Sequence, residues 1–273
     1  MCILCRVLSV SVGGFYAWMK RSPSARERED GELSKHITRI YQQHQGRYGS
    51  PRIHAQLRDE GIHIGYKRVV RLMKQAKLVA RHRTHRVVTT RADPSATPAE
   101  NVLDRDFEAE GPNQKWVCDV TYIATATGWL YLAAVLDLYS RRVIGWAMAP
   151  RQDEELVHQA LVMAVRQRKP AAGLLHHSDR GCQYTSQAYQ TSLKALDIRV
   201  SRSRKGNCWD NAVMERFFGT VKRECTAQMH FTTHQQARTA LFEYIEAYYN
   251  RVRKHSTLGY VSPVQFELVT TMR

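Results

Sequence analysis

From Trp116 to Ala149 the chain reads WVCDVTYIATATGWLYLAAVLDLYSRRVIGWAMA. Three apolar, β-branched and aromatic runs stand out, at residues 116–122, 129–137 and 143–149, separated by short turns of which the first contains Thr127-Gly128. Runs of this kind bounded by turn residues read as consecutive antiparallel strands. Downstream, Leu156, Ala160, Met163 and Ala164 fall on one face of a helix over 153–168. A short strand follows at 173–177, and Tyr189, Leu193 and Leu196 mark a helix over 186–196. The order is βββαβα, then a polar loop and another helix, which makes this an α/β domain.

Toward the N-terminus, residues 93–110 hold Pro94, Pro98 and alternating acids, show no period and read as a linker. Before it, Leu33, Ile37, Ile40, Tyr41 and His44 recur at helical spacing, so a helix is expected over 32–44, ending before Gly46 and Gly49. Ile53, Gln56 and Leu57 then lead to the break Glu60-Gly61-Ile62-His63, after which Val69, Leu72 and Met73 resume the period. That is a helix-turn-helix-like segment over about residues 51–78. Residues 8–18 hint at a similar helical unit. Between Gly61 and Ala92 there is no acid, yet Lys67, Arg68, Arg71, Lys74, Lys77, Arg81, Arg83, Arg86 and Arg91 all fall there. The second helix and its trailing arm therefore read as lying on DNA through Lys67, Arg68, Arg71 and Lys74, the alternative being a solvated basic face.

A chain of 273 residues is too long for one ordinary domain and too short for three. The expected division is a basic helical domain at 1–92, a linker at 93–110 and a second domain at 111–273. The formal net charge is +16, of which residues 1–91 carry +13 and residues 92–273 only +3, so the N-terminal third carries a field suited to a polyanion. No apolar run approaches the roughly 18–20 residues of a membrane helix, since the best candidate is cut by Asp137. The first dozen residues lack the charged, apolar and cleavage regions of a signal peptide. Six scattered cysteines in a chain of this size read as reduced thiols in a cytoplasmic protein. Cys2 and Cys5 have no second pair at zinc-site spacing, so no zinc is expected.

Three acids occupy positions where a structural role is hard to supply. Asp119 interrupts the first buried strand, Asp179 directly follows the fourth, and Glu215 lies two turns into a helix expected to begin near Asp210, with 35 residues between the last two acids. An acid inside a buried strand is costly unless paired or metal-bound. Carboxylate oxygens suit Mg²⁺ or Mn²⁺, while salt bridges to some of the 41 basic residues are the plainer alternative.

The surroundings of the acids decide between these readings. They are Trp116-Val117-Cys118-Asp119-Val120-Thr121-Tyr122, then His177-Ser178-Asp179-Arg180-Gly181-Cys182-Gln183-Tyr184, then the stretch from Arg204 through Gly206-Asn207-Cys208-Trp209-Asp210-Asn211 to Glu215 and Phe218. Near the end stand Tyr249-Asn250-Arg251-Val252-Arg253-Lys254-His255 and Ser262-Pro263. Over nearly the whole chain this resembles the catalytic subunit of bacterial insertion-sequence transposases of the third insertion-sequence family, relatives of retroviral integrases.

The resemblance implies an RNase H-like integrase core, a mixed five-stranded sheet with flanking helices in which the first and fourth strands lie side by side. It implies that Asp119, Asp179 and Glu215 converge to hold two Mg²⁺ ions, with Mn²⁺ as a substitute, in a DDE-type polynucleotidyl transferase that cuts DNA and joins a 3′ hydroxyl to a target. Its partners would be terminal repeats and target DNA, it would work as a homo-multimer at the bacterial nucleoid, and it would be fused to or associated with an upstream helix-turn-helix and leucine-zipper segment. Arg216 and Cys182 depart from common family residues without removing an acid.

At about 100° per residue, Asn211, Glu215 and Lys222 share one stripe of their helix, beside an apolar face of Val213, Met214, Phe217, Phe218 and Val221. By resemblance Lys222 holds DNA near the reacting phosphate. Asn211 does so too, or caps the helix start. The loop 201–211, with Arg202, Arg204, Lys205 and Gly206, suits a strand-gripping loop. His176 and His177 either tune Asp179 or are merely hydrogen-bonded, and Arg251, Arg253 and His255 either touch DNA or support the core. Leu241, Ile245 and Tyr248 mark a further packed helix, and Ser262-Pro263-Val264-Gln265 is a capping box that opens a last one. Two other functions compete with transposition: a catalytically inactive DNA-binding regulator, and a nuclease that hydrolyses without joining.

Overall fold

The computed structural model describes residues 2–81, 101–204 and 208–271. It divides into two compact units, Met1–Arg81 and His82–Arg273.

The first unit is helical. Short α1 (Cys2–Val7) and α2 (Val12–Met19) precede α3 (Ala25–Gln43), α4 (Ser50–Asp59) and α5 (Tyr66–Gln75). Helix α3 starts eight residues before the apolar period does, because Ser24 and Glu27 close a reciprocal capping box ahead of a first stretch dominated by charged residues. Leu33, Ile37 and Ile40 of α3 pack with Ile53 and Leu57 of α4 and with Val69, Leu72 and Met73 of α5, all buried. The α4–α5 turn passes through Gly61, whose φ of +78° is open to glycine at little cost.

The second unit is a five-stranded sheet of order β3-β2-β1-β4-β5 with helices on both faces. Its strands are β1 (Lys115–Thr125), β2 (Gly128–Asp137), β3 (Val143–Ala149), β4 (Leu175–Ser178) and β5 (Arg199–Arg202). The first three are antiparallel neighbours, while β4 runs parallel to β1 and β5 parallel to β4. One face is covered by α6 (Glu154–Arg168), α7 (Cys182–Thr185) and α8 (Gln187–Ala195). Gly145 of β3 lets α6 come close: a Cβ there would stand 2.2 Å from the Ala160 carbonyl. The other face is covered by α9 (Ala212–Val221) and α10 (His234–Phe242), each continuing into a π-helical turn, Lys222–Thr226 and Glu243–Tyr249. A closing helix, α11 (Pro263–Thr271), opens with the expected box, Ser262 Oγ accepting from Gln265 N–H and Gln265 Oε1 accepting from Ser262 N–H.

Three expectations need correction. The stretch taken as a linker is, in its described part, seated on the second unit: Leu103 is 2% exposed and its N–H donates to Ser201 Oγ at 2.9 Å. The polar loop expected from residue 201 begins with two residues of an edge strand, β5, which sequence reading missed. The helix of Glu215 starts at Ala212 after a 3₁₀ turn over Cys208–Asn211, so Glu215 lies in its first turn.

Candidate active site

Parallel pairing places the first two acids side by side. The last hydrogen-bonded register pair of β1 and β4 is Val117↔His177, and Asp119 and Asp179 each stand two residues beyond it. Helix α9 carries Glu215 to the same sheet, anchored by Met214, Phe217, Phe218 and Val221 packed among Val117, Ile123 and Ala134. The Asp119 carboxyl accepts from the Val120 N–H at 2.8 Å and that of Asp179 from the Gly181 N–H at 3.0 Å. A Cβ on Gly181 would come within 3.1 Å of Asp179 Oδ1, so the tight turn after β4 favours glycine.

The acids sense one another. Asp119 binds its proton well above the usual carboxylate range, first because of burial, then through Asp179 and Glu215, against which the Val120 N–H and Lys222 act. Asp179 is raised as well, by burial. Glu215 is exposed on the helix surface, and among the described residues no three His, Cys, Asp or Glu side chains form a ready group for a metal ion. Two acids are thus brought together by the sheet, and the third acts electrostatically on Asp119 from the adjoining helix.

Lys222 stands at the junction of α9 and its π turn, with Nζ 4.6 Å from the centre of the Tyr122 ring. Partial burial lowers its proton affinity and Asp119 restores part of it. Asn211 is 5% exposed and does not cap α9 through its side chain; its Nδ2 donates to the Cys118 carbonyl at 3.1 Å. Arg204 is already engaged: its Nε and Nη2 donate to Asp210 at 3.0 and 2.8 Å, and Nη2 also lies 3.2 Å from Asp104. Arg105 joins Asp210 at 3.1 Å, and these arginines hold the fully buried Asp210 carboxylate ionised far below its usual range. Arg204, half-exposed in the loop expected to grip a strand, is thus also the main partner of a buried carboxylate. Lys205 lies outside the described residues.

His176 and His177 are fully buried and hydrogen-bonded, His176 to Tyr189 and Cys118, His177 to Ser201 and Ser203. Burial lowers their proton affinities to about 3 and about 4, so both are neutral. Arg253 is likewise internal, forming two 2.8 Å bonds with the buried Glu224, which also accepts from Tyr244 at 2.9 Å.

In the first unit, Lys67 and Lys74 are exposed on α5. Arg68 and Arg71 are not available in the same way: Arg68 bonds Glu29 and Asp30, and Arg71 bonds Asp30, stitching α5 to α3. The acids lie in the part of α3 that the apolar period does not reveal, which is why these arginines read as free.

Comparison with known proteins adds lineage to this geometry. The chain is 42% identical over 267 residues to transposase InsF for insertion sequence IS3A of Escherichia coli, covering 97% of this chain and 92% of that one. It belongs to the IS3 transposase family. It is also 40% identical over 263 residues to a 31 kDa protein of insertion element IS600 of Shigella sonnei, covering 96% and 97% of the two chains. Integrase core domain families match residues 109–208 and 196–263, and an HTH-like domain family matches residues 27–86. Among solved structures, a simian T-cell lymphotropic virus intasome has TM-score 0.49 at 17% identity over 78% of this chain and 70% of that chain. The HTLV-2 integrase catalytic core in complex with magnesium has TM-score 0.44 at 17% identity over 59% and 99%. As an IS3-family transposase the protein is a polynucleotidyl transferase of DNA transposition, with an integrase-type core and an HTH-like helical unit. No helix among the described residues is long and apolar enough to cross a membrane.

Sequence reading missed Asp210 as the anchor of its loop, Arg105 as that anchor's second partner, and Glu224 as the partner of Arg253. The spacing of Arg204 and Asp210 was visible, but the burial that makes the pair matter was not.

Proposed function

We propose that Asp119, Asp179 and Glu215 are the catalytic acids of a Mg²⁺-dependent transposase that cleaves DNA at transposon ends and transfers the 3′ hydroxyl to target DNA. The observation carrying this reading is the matched placement of Asp119 and Asp179 beyond the β1–β4 register, with Glu215 acting on Asp119 across from α9. The donor set fits a hard divalent cation: two adjacent carboxylates, mutually unfavourable when both are ionised, with one half-buried lysine as the nearby cation. Asp119, Asp179 and Glu215 would hold two Mg²⁺ ions, for which Mn²⁺ would substitute, and when bound these would supply activation of the attacking hydroxyl and stabilisation of the leaving oxygen.

The chain's own residues do the rest. Asp119 and Asp179 are fixed by the sheet and by the Val120 and Gly181 N–H groups, so their oxygens are oriented before substrate arrives. Glu215, exposed in the first turn of α9, closes the set from the third side. Lys222, half-buried beside Asp119 and steadied by the Tyr122 ring, contacts DNA next to the reacting phosphodiester. Residues 1–92, through Lys67, Lys74 and the basic arm beyond, hold DNA for the catalytic residues 111–273. Joining two transposon ends requires more than one catalytic unit on the DNA, so the protein works as a homo-multimer at the nucleoid. The test is to offer labelled candidate terminal repeats with Mg²⁺ and look for joined products; nicked products alone would identify a nuclease, and binding without either would identify a regulator.

A further inference from the structure

Residue 211 lies where two acid-bearing elements meet. Its backbone is the last of the 3₁₀ turn Cys208–Asn211 and the N-cap of α9, whose fourth residue is Glu215. Its side chain crosses to β1 and donates Nδ2–H to the carbonyl of Cys118, the residue before Asp119. A carbonyl only accepts, so this bond fixes which way the amide faces. The bond is buried, with Asn211 5% and Cys118 1% exposed. The Oδ1 of the same amide is buried with no donor among the described residues. A buried amide half-satisfied in this way costs stability relative to an apolar side chain of the same size, so packing alone does not account for asparagine at this position.

The preceding residue is held just as firmly. Asp210, fully buried, accepts from the backbone and side chain of Arg204 and from Arg105. The start of α9 is therefore tied on one side to the segments carrying Arg105 and Arg204 and on the other to β1. Asn211 is the tie that runs directly to the strand of Asp119.

We infer that Asn211 is a positioning residue: its amide sets the separation between the Asp119 strand and the Glu215 helix, and through it the fit of the three acids to a divalent cation. This rests on the assignment of the acids under Proposed function. Asn211 contacts no DNA on this inference, which replaces the phosphate contact expected from its place on the helix. The bond is short and local, and it acts on metal affinity and turnover rather than on DNA affinity. Residues that orient metal ligands through one hydrogen bond typically change metal affinity or activity by roughly 10- to 100-fold when removed.

The experiment compares the full chain with Asn211→Ala and with Asn211→Leu, an apolar replacement of similar volume that keeps the space filled. Joining of labelled ends is measured across Mg²⁺ and Mn²⁺ concentrations, together with KM for DNA and the thermal shift on adding Mn²⁺ without DNA. The expected result is a half-saturating Mg²⁺ concentration raised about tenfold, a smaller Mn²⁺-induced thermal shift, partial recovery of turnover at saturating Mn²⁺, and an unchanged KM for DNA. A raised KM with unchanged metal dependence would overturn the inference and return Asn211 to the DNA. So would wild-type metal dependence in both variants. If neither variant folds, the side-chain amide of Asn211 is followed by NMR in the wild-type chain, where rapid solvent exchange of its protons would also overturn it. Asp119→Asn, Asp179→Asn and Glu215→Gln are assayed alongside: joining by these variants would sink the acid assignment itself, whereas their failure beside normal metal dependence at residue 211 would sink the positioning role alone.

Discussion

Asp119 within β1 and Asp179 directly after β4 occupy equivalent places along two parallel strands, each two residues past the pair Val117↔His177, and their carboxyls are crowded at the point where the ladder ends. Burial and mutual repulsion raise the proton affinity of Asp119 well above that of the unfolded chain. Above the unfolded value near 3.8 the folded state therefore holds a proton that the unfolded state has lost, and stability falls as pH rises toward the raised value. Replacing Asp119 by Asn removes that cost. Asp119→Asn is expected to raise the Tm of the metal-free protein, more at pH 7.5 than at pH 4, at roughly 2–4 °C per kcal/mol for a chain of this size. Melting curves in chelator at the two pH values check this, and an equal or lower Tm at pH 7.5 would contradict it.

The same substitution should be fatal to chemistry. On the proposed assignment, Asp119→Asn, Asp179→Asn and Glu215→Gln would each remove a metal-binding charge while leaving every lysine and arginine in place, so joining is expected to disappear with DNA affinity nearly intact. Because the acids act as a unit, a double variant should be little worse than a single one. Joining assays and binding titrations on the same preparations separate this outcome from misfolding, which would lower both.

Much of this arrangement was legible in the sequence. The three antiparallel strands, α6, α8 and the two acids at β1 and β4 followed from apolar runs and turn residues, because buried strands leave a strong compositional trace. What stayed hidden was held by polar contacts. Strand β5, reading Arg-Val-Ser-Arg, has one apolar residue in four and exists because β4 offers it a parallel edge. The first turns of α3 contain no apolar residue of the period and depend on Ser24, so Glu29 and Asp30 could not be placed opposite Arg68 and Arg71. The fate of each arginine is a tertiary fact: Arg204, Arg68, Arg71 and Arg253 look alike in a basic sequence and differ only in which carboxylate the fold brings to them.

That difference divides the basic residues of α5. Lys67→Ala and Lys74→Ala are expected to weaken DNA binding by residues 1–92 uniformly across sequences, each lowering the log-log salt slope by about one from a starting value near −5 for about six neutralised phosphates. Arg68→Ala should instead lower the Tm of that fragment, since it releases Glu29 and Asp30 from the α3–α5 contact. Salt titrations and melts of the three variants test the division; a salt slope changed by Arg68→Ala alone, with no change in Tm, would reverse it.

The last prediction concerns Glu224 and Arg253, a pair buried to 1% and 4% exposure, bonded twice and joined by the Tyr244 hydroxyl. Glu224 lies two residues after Lys222 in the same π turn, so the pair fastens the turn that presents Lys222 to the segment following Asn250. Removing one partner leaves the other charge buried without compensation, and Glu224→Gln is expected to cost about 3–5 kcal/mol. Replacing both charges by methionine, with Tyr244→Phe to remove the stranded hydroxyl, should return most of that stability, because desolvation of the ions offsets much of their attraction. Joining should not return with it. The apolar triple variant keeps the packing of α9 but loses the directional bonds that fix the Lys222 turn, so its turnover is expected to stay well below wild type while Asp119, Asp179 and Glu215 are untouched. Denaturant unfolding and joining rates on the two variants decide the matter: full recovery of both stability and turnover in the triple variant would mean that the ion pair fills space and positions nothing.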